Sequence, residues 1–417
     1  VTFNQRRFSV LSTSLLAYIL IFFQRTSLTV IQQDLEASYH LSAFQFSSLA
    51  AVYLWLYAFM QIPSGLLADY VGPRKTISTG MFIAAGGSLL MAFASSYAWL
   101  YIGRILSTLG IAHVFICILK LNAEWFMPEE FATLAGITLF VGNFGALLAS
   151  APLSWLVKAT SWQTAFIIIS CFTVLVGILA IVFIYDEPSD LGFEDHFQSV
   201  PMSFRETWKG LIAIIKDKEI FHPTFIYAFS LCSILTLQAA WGSRMVQTVI
   251  GATKTQAASV VMFISLGVMF GALSGGKLAD FFGKKRVINW LLGPAAFIWL
   301  SLLLVTRVHS LFLMSLWMFL VAFFTGSGFS ITLGFGKEIA KKRLSGIGTS
   351  IVNGGGFLFA AIFQLMYGYI LDQTKISASV YSASGFMKGN YLLIGASFLA
   401  WTLTVLYSRT KKKRLIN

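Results

Sequence analysis

Apolar stretches of about 20 residues recur from one end of this chain to the other, and no run between them is polar enough to wrap a soluble domain. A stretch of that length crosses the hydrocarbon core of a bilayer as a helix, and within lipid only helices and closed barrels satisfy their own backbone. The chain is therefore expected to fold as an all-α bundle of transmembrane helices. Only 11% of its residues are charged, against 57% hydrophobic, which is about half the charge that a water-facing surface carries. A secreted factor and a soluble enzyme are excluded. Twelve helices of about 20 residues would use about 240 of the 417 residues and leave short connections.

Apolar length, Gly and Pro punctuation and charge positions predict spans 1 to 6 near residues 8–32, 43–67, 75–94, 97–120, 131–157 and 161–185. Spans 7 to 12 fall near 223–248, 257–279, 286–306, 309–334, 345–371 and 388–408. Between the two sets lies the longest polar stretch, 186–222, with Asp186, Glu187, Asp190, Glu194, Asp195, Arg205, Lys209, Lys216 and Lys218. The chain thus divides into an N-terminal six-helix bundle at 1–188, a linker at 189–222 and a C-terminal six-helix bundle at 223–417.

The net charge of +13 would suggest a nucleic-acid partner in a soluble protein. Here the basic residues cluster between apolar stretches, at Arg6 and Arg7, Arg74 and Lys75, Lys284 to Arg286, Lys341 to Arg343 and Lys411 to Arg414. That is the pattern of cytoplasmic loops facing anionic lipid, not of a nucleic-acid surface. With both termini inside, 22 Lys and Arg fall on the cytoplasmic side and six on the other, Lys158, Arg244, Lys254, Arg307, Lys375 and Lys388. Arg25 and Arg104 complete the 30 from within spans. The bias predicts cytoplasmic termini and an even number of spans, as in a bacterial inner-membrane protein. Cys117, Cys171 and Cys232 all lie in apolar runs without paired spacing, and read as small buried hydrophobes rather than metal ligands. The first apolar run has no small-residue cleavage motif after it and is read as span 1, not a removable signal.

The sharpest internal feature is a repeat. Residues 65–75 read GLLADYVGPRK and residues 276–286 read GKLADFFGKKR, so Gly65, Asp69, Gly72, Arg74 and Lys75 match Gly276, Asp280, Gly283, Lys285 and Arg286 at a constant offset of 211. Each copy lies between the second and third span of its half, as parallel halves related about the membrane normal require. The first copy resembles the loop 2–3 signature of the major facilitator superfamily, and the weaker echo after span 8 is usual there. GRILSTLG in span 4 and GNFGALLASAPLSWL in span 5 support the resemblance, which covers all twelve spans. It implies the major facilitator fold, two six-helix bundles around a central cavity that work by rocker-switch alternating access. The implied cavity is lined by spans 1, 4, 7 and 10 with parts of 2, 5, 8 and 11.

Arg25 in span 1, followed by FQFSSLAAVYLWLYAFMQIPSGLLAD from residue 44, further resembles the organic-anion-transporting branches of that superfamily. Some of their members carry an acidic residue beyond the span 4 arginine, whereas Arg104 is followed here by Ile111 and His113. Their carboxylate-based proton coupling therefore does not transfer directly. Span 5 departs from the fuller glycine-proline motif of many drug exporters, with Asn143, Phe144 and Gly145 and only then Pro152. The comparison favours import or exchange over drug efflux.

An intramembrane guanidinium is kept where it faces a cavity or a partner, so Arg25 and Arg104 are candidate clamps for a carboxylate through paired hydrogen bonds. Snorkelling or capping of helix carbonyls is the structural alternative, and for Arg244, near a loop, a lipid headgroup is the favoured one. Tyr53, Tyr57 and Gln61 recur every four residues on one face of span 2. With Asn143, Gln238, Trp241, Asn353 and Gln364 they form the polar set expected at the cavity, although buried amides also pair helix to helix. His113 titrates near neutrality and is a candidate proton carrier, and a packed neutral histidine is its plain reading. Glu124 and Glu338 are further coupling candidates whose alternative is a structural ion pair at a helix end. Asp69 and Asp280 suit conformational switching, holding neighbouring basic residues or helix N-termini in one state and releasing them in the other. The flanking glycines permit tight turns or close helix contacts.

The sequence thus points to a secondary transporter of a small organic anion in the lipid bilayer, driven by protons, with no cofactor, metal or obligate protein partner. A drug or siderophore exporter, an amino-acid or dipeptide transporter and a transporter-like sensor are the alternatives. An enzyme is disfavoured by the absence of H-E-x-x-H, G-x-S-x-G and metal-ligand clusters.

Overall fold

The computed structural model describes residues 2–127, 130–193, 204–377 and 380–413. Glu194 and Asp195 of the linker and the terminal Arg414 lie outside them, as do the side chains of Lys341 to Arg343 and of Lys411 to Lys413. Among the described residues twelve helical spans follow one another: Phe3–Tyr39, Ala43–Tyr70, Pro73–Ala92, Tyr97–Trp125, 131–159, Trp162–Phe183, 221–250, Lys254–Phe282, Lys284–Val305, Leu311–Ile339, Lys341–Asp372 and Ala383–Lys413. Eleven contain a stretch long and apolar enough to cross a membrane. Span 3 falls short because Ser78, Thr79, Gly80, Gly86, Gly87 and Ser88 dilute its apolar face. Those small residues have a packing use. A Cβ on Gly87 would stand 2.3 Å from the Ser107 amide nitrogen, and one on Gly110 would stand 2.4 Å from the Gly80 carbonyl. Spans 3 and 4 therefore touch backbone to backbone, the mode by which helices associate without help from water.

The sequence boundaries hold to several residues, and the interruptions inside spans were not visible in them. Span 4 breaks at Ala112 and His113 into Tyr97–Ile111 and Val114–Trp125. Span 5 breaks after Leu148 and resumes at Ala151, because Pro152 has no amide hydrogen to close the turn. In span 7 a π-turn at Leu237–Trp241 inserts an extra residue into the helix. The linker holds an amphipathic helix at Phe204–Lys216, and a two-stranded hairpin, Lys375–Ser377 with Val380–Tyr381, joins spans 11 and 12. Neither element was foreseen. Cys117 and Cys232 are buried as expected, but Cys171 faces outward from span 6.

Spans 2 and 11, 5 and 8, and 1 and 7 carry the contacts between the two halves. Polar links between the halves gather at the end of the bundle opposite the termini, here called the far end. Asp34 and Lys254 form an ion pair there, and Gln33 Nε2 donates to Gln247 Oε1 at 2.6 Å. The Asp372 carboxylate accepts from the amides of Ala43 and Phe44 at 2.9 and 2.8 Å, which places a negative charge on the N-terminus of span 2. Tyr381 donates to Glu36 Oε1 at 2.9 Å, and Trp241 Nε1 donates to Ser47 Oγ at 2.9 Å. At the termini end, the ion pairs Arg7–Glu130, Asp69–Lys120 and Lys284–Glu338 each stay within one half. The far end is sealed.

The two repeated loops share their backbone. Gly72 has φ 90° and ψ 148°, and Gly283 has φ 85° and ψ 131°, a region open to glycine and strained for other residues. Their surroundings differ. A Cβ on Gly72 would meet Asp186 Oδ2 at 2.3 Å, while one on Gly283 meets nothing within 4 Å. Asp186 Oδ1 accepts from the Arg74 amide at 2.7 Å and so caps span 3. Burial pushes the Asp186 carboxyl up from its ordinary range, against the Arg74 amide, which holds it down. Gly283→Ala is therefore expected to lower stability by backbone strain alone, about 1–3 kcal/mol. Gly72→Ala should lower it further, because the cap must also move. Thermal unfolding of the two variants in one detergent checks the order.

Candidate substrate site

Span 1 brings Arg25 to the middle of the bundle with 7% of its surface exposed, and span 4 brings Arg104 there with 1%. Arg25 Nη2 donates to Gln238 Oε1 at 3.4 Å, and its guanidinium carbon lies 4.1 Å from the centre of the Phe22 ring. Arg104 Nη1 donates to the Gln24 carbonyl at 2.9 Å, and its guanidinium carbon lies 5.9 Å from the Tyr53 ring centre. Gln24 precedes Arg25, so the two arginines meet at one level of the bundle. Arg25 Nε, and Nε and Nη2 of Arg104, are buried without a partner, as is the whole amide of Gln24. Among the described residues neither guanidinium has a carboxylate within ion-pair distance.

Tyr53 and Tyr57 stack on the same side of span 2, with centroids 5.6 Å apart and planes 14° off parallel. Phe357 of span 11 closes on them, 4.5 Å from Tyr57 and 6.4 Å from Tyr53. Tyr227 of span 7 donates to Asn353 Oδ1 at 3.1 Å. Tyr18, Tyr53, Tyr57 and Tyr227 all lie near enough to Arg25 to feel its charge. The π-turn places Gln238 so that its carbonyl accepts from Thr29 at 3.0 Å, its side-chain oxygen from Arg25, and its amide donates to Ser265 at 2.9 Å. Two arginines, four phenols and several amides from both halves thus converge on one region of the bundle, a set of groups that suits an anion that also carries hydroxyls.

Other candidates stand elsewhere or look inward. Gln61 donates to the Tyr57 carbonyl of its own helix at 3.4 Å. Asn143 donates to Leu139 and leaves Oδ1 buried without a partner, and both amide atoms of Gln364 are likewise unpartnered. Trp241 lies in the far-end seal, with its ring against Phe46, Tyr367, Tyr381 and Phe386. His113 faces span 3, where a Cβ on Gly80 would touch its Nε2. Glu124 is buried near the termini end of span 4, and Glu338 pairs with Lys284 at 2.5 Å. Asp69 accepts from Lys120 at 3.1 Å, while Asp280 is exposed. The Arg74 guanidinium donates to the Ile181 carbonyl, and Arg286 lies 6.0 Å over Trp290. Lys75 is exposed, and Lys285 lines a basic cleft beside Gly283. Among the described residues, and apart from the adjoining backbone of its own helix, no atom stands within 4 Å of a Cβ built on Gly65 or Gly276.

Tyr18, Gln24 and Tyr227 belong to the site and were not singled out in the sequence. Tyr18 is seven residues before Arg25, and Tyr227 is eleven before Gln238, spacings that return a helix to nearly the same face. That spacing was the available signal.

Residues 14–364 match the Major Facilitator Superfamily. The chain belongs to it. This facilitator is 22% identical over 427 residues to the hexuronate transporter of Bacillus subtilis, an alignment that covers 97% of this chain and 95% of that one. It is 30% identical over 165 residues to the uncharacterized transporter YybO of Bacillus subtilis, covering 39% of this chain and 38% of the relative. Its fold matches that of a bacterial homologue of the human lysosomal transporter Spinster, solved inward-facing and unoccupied, with TM-score 0.74, 19% identity and 98% of each chain covered. The facilitator is a multi-pass membrane transporter.

Proposed function

We propose that this facilitator is a secondary active transporter of a small organic anion, held by its carboxylate between Arg25 and Arg104 and driven by the proton gradient. The carrying observation is the pair of buried guanidinium groups with unmade hydrogen bonds and no carboxylate within ion-pair distance among the described residues. A buried charge without a counter-ion is costly, and a two-pronged carboxylate relieves that cost with charge-assisted bonds. Tyr18, Tyr53, Tyr57, Tyr227, Gln238 and Asn353 are suited to the hydroxyls of such a substrate. The end-to-end likeness to a hexuronate transporter supports the same chemical class. With the termini cytoplasmic, as the 22-to-6 distribution of basic residues favours, the far end, where the two halves are linked, faces outward from a bacterial inner membrane.

Uptake of labelled sugar acids into proteoliposomes tests the reading. Saturable uptake stimulated by an inward proton gradient is expected. Absence of saturable uptake for every acid, together with export of hydrophobic cations, overturns it. His113, Glu124 and Glu338 are the titratable candidates for coupling, and a His113→Gln variant with unchanged pH dependence removes the histidine.

A further inference from the structure

The linker helix, Phe204–Lys216, has a wider apolar arc than the protein covers. Leu211 and Ile214 are buried, 9% and 5% exposed, where the helix packs on span 11 and on the turn Lys218–Ile220. Trp208, Ile212 and Ile215 continue the same arc but stand 50%, 41% and 46% exposed. At 100° per residue, Ile215, Trp208 and Ile212 fall side by side within about 60°, and Lys216 and Lys209 flank the Ile212 edge within about another 60°. Lys209 and Lys216 are exposed. Span 7 begins at Phe221, so only four residues separate this helix from the bilayer-crossing segment. An apolar strip edged by lysines and tied that closely to a span is built for the boundary between headgroups and acyl chains.

We propose that the linker helix lies in the leaflet on the termini side, with Trp208, Ile212 and Ile215 in the acyl boundary and Lys209 and Lys216 on the phosphates of anionic lipids. The lipid-facing surface of the spans then continues across the linker, and the hinge between the two halves is held at a fixed depth. The occupant is the anionic bilayer surface, because the apolar strip and the flanking charge demand both parts of a phospholipid at once. A soluble anion would engage the lysines and leave the strip in water.

The test uses the full chain in nanodiscs, with an environment-sensitive fluorophore on Ile212→Cys in a Cys171→Ser background, since Cys117 and Cys232 are buried. Expected are quenching by lipids spin-labelled near the headgroup, weak quenching by aqueous iodide, and stronger lipid quenching when phosphatidylglycerol is added to phosphatidylcholine. Lys209→Glu with Lys216→Glu should return lipid quenching to the phosphatidylcholine level. Inorganic phosphate in the phosphatidylcholine discs should not reproduce the effect of phosphatidylglycerol. A fluorophore open to iodide and untouched by spin-labelled lipid overturns the proposal, and so does lipid quenching that ignores phosphatidylglycerol.

Discussion

Arg25→Ala is expected to weaken binding of the transported anion at least about 100-fold while leaving the empty protein as stable as before or more so. Two charge-assisted hydrogen bonds at about 1.5–3 kcal/mol each are lost, and the substrate carboxylate enters a site lined by Phe22 and Gln238 with one counter-charge instead of two. Stability moves the other way because the native side chain is 7% exposed, bonded to one amide oxygen, and has a buried Nε without a partner. Removing an uncompensated buried charge relieves a desolvation cost. Arg25→Lys keeps the charge but not the planar fork, and should fall between the two. Arg104→Ala should lose both affinity and stability, since Arg104 also ties span 4 to the Gln24 carbonyl of span 1 at 2.9 Å. Substrate-induced thermal shift and equilibrium binding measure both quantities on the same samples. Wild-type affinity in Arg25→Ala removes that residue from the site.

The opposite signs expected for stability bear on what was legible in the sequence. A lone arginine in an apolar span stands out against its neighbours, which makes Arg25 and Arg104 legible. The paired loops were legible because only glycine tolerates the backbone at Gly72 and Gly283, so the repeat had to keep those letters. Tyr18, Gln24 and Tyr227 were not legible. A phenol or amide in a span packs against neighbours as often as against a ligand, and the facing side depends on how the halves meet. Trp241 illustrates the same limit, for the contact that fixes it, Ser47, is 194 residues away. The π-turn at Leu237–Trp241 leaves no mark in composition, yet it presents Gln238 to Thr29 and Arg25. The linker helix was hidden because its charges made residues 186–222 read as a plain polar connection.

Gly368→Val is expected to cut uptake to below about a tenth while leaving anion binding within about threefold of wild type. Gly368 of span 11 presses on the start of span 2, where a Cβ would stand 2.2 Å from Ser47 Oγ and 2.7 Å from the Ala43 carbonyl oxygen. A serine hydroxyl can rotate away, but a helix carbonyl cannot, so the far ends of spans 2 and 11 must separate. Separation breaks the bonds from the Ala43 and Phe44 amides to Asp372 and the bond from Trp241 to Ser47. Losing two bonds to a carboxylate and one neutral bond costs about 3–7 kcal/mol, enough to move a two-state equilibrium by a factor of 100 or more toward the state open at the far end. Binding survives because Phe357, the span 11 residue whose ring closes on Tyr53 and Tyr57, lies eleven residues away, about 16 Å along the helix. A Gln33→Cys reporter should also react faster with a membrane-impermeant thiol reagent when Gly368→Val is present, since the bond from Gln33 to Gln247 belongs to the same seal. Wild-type uptake with unchanged reactivity at position 33 would mean that the far-end contacts are not the gate, because a protein that transports normally with spans 2 and 11 wedged apart does not need to close there.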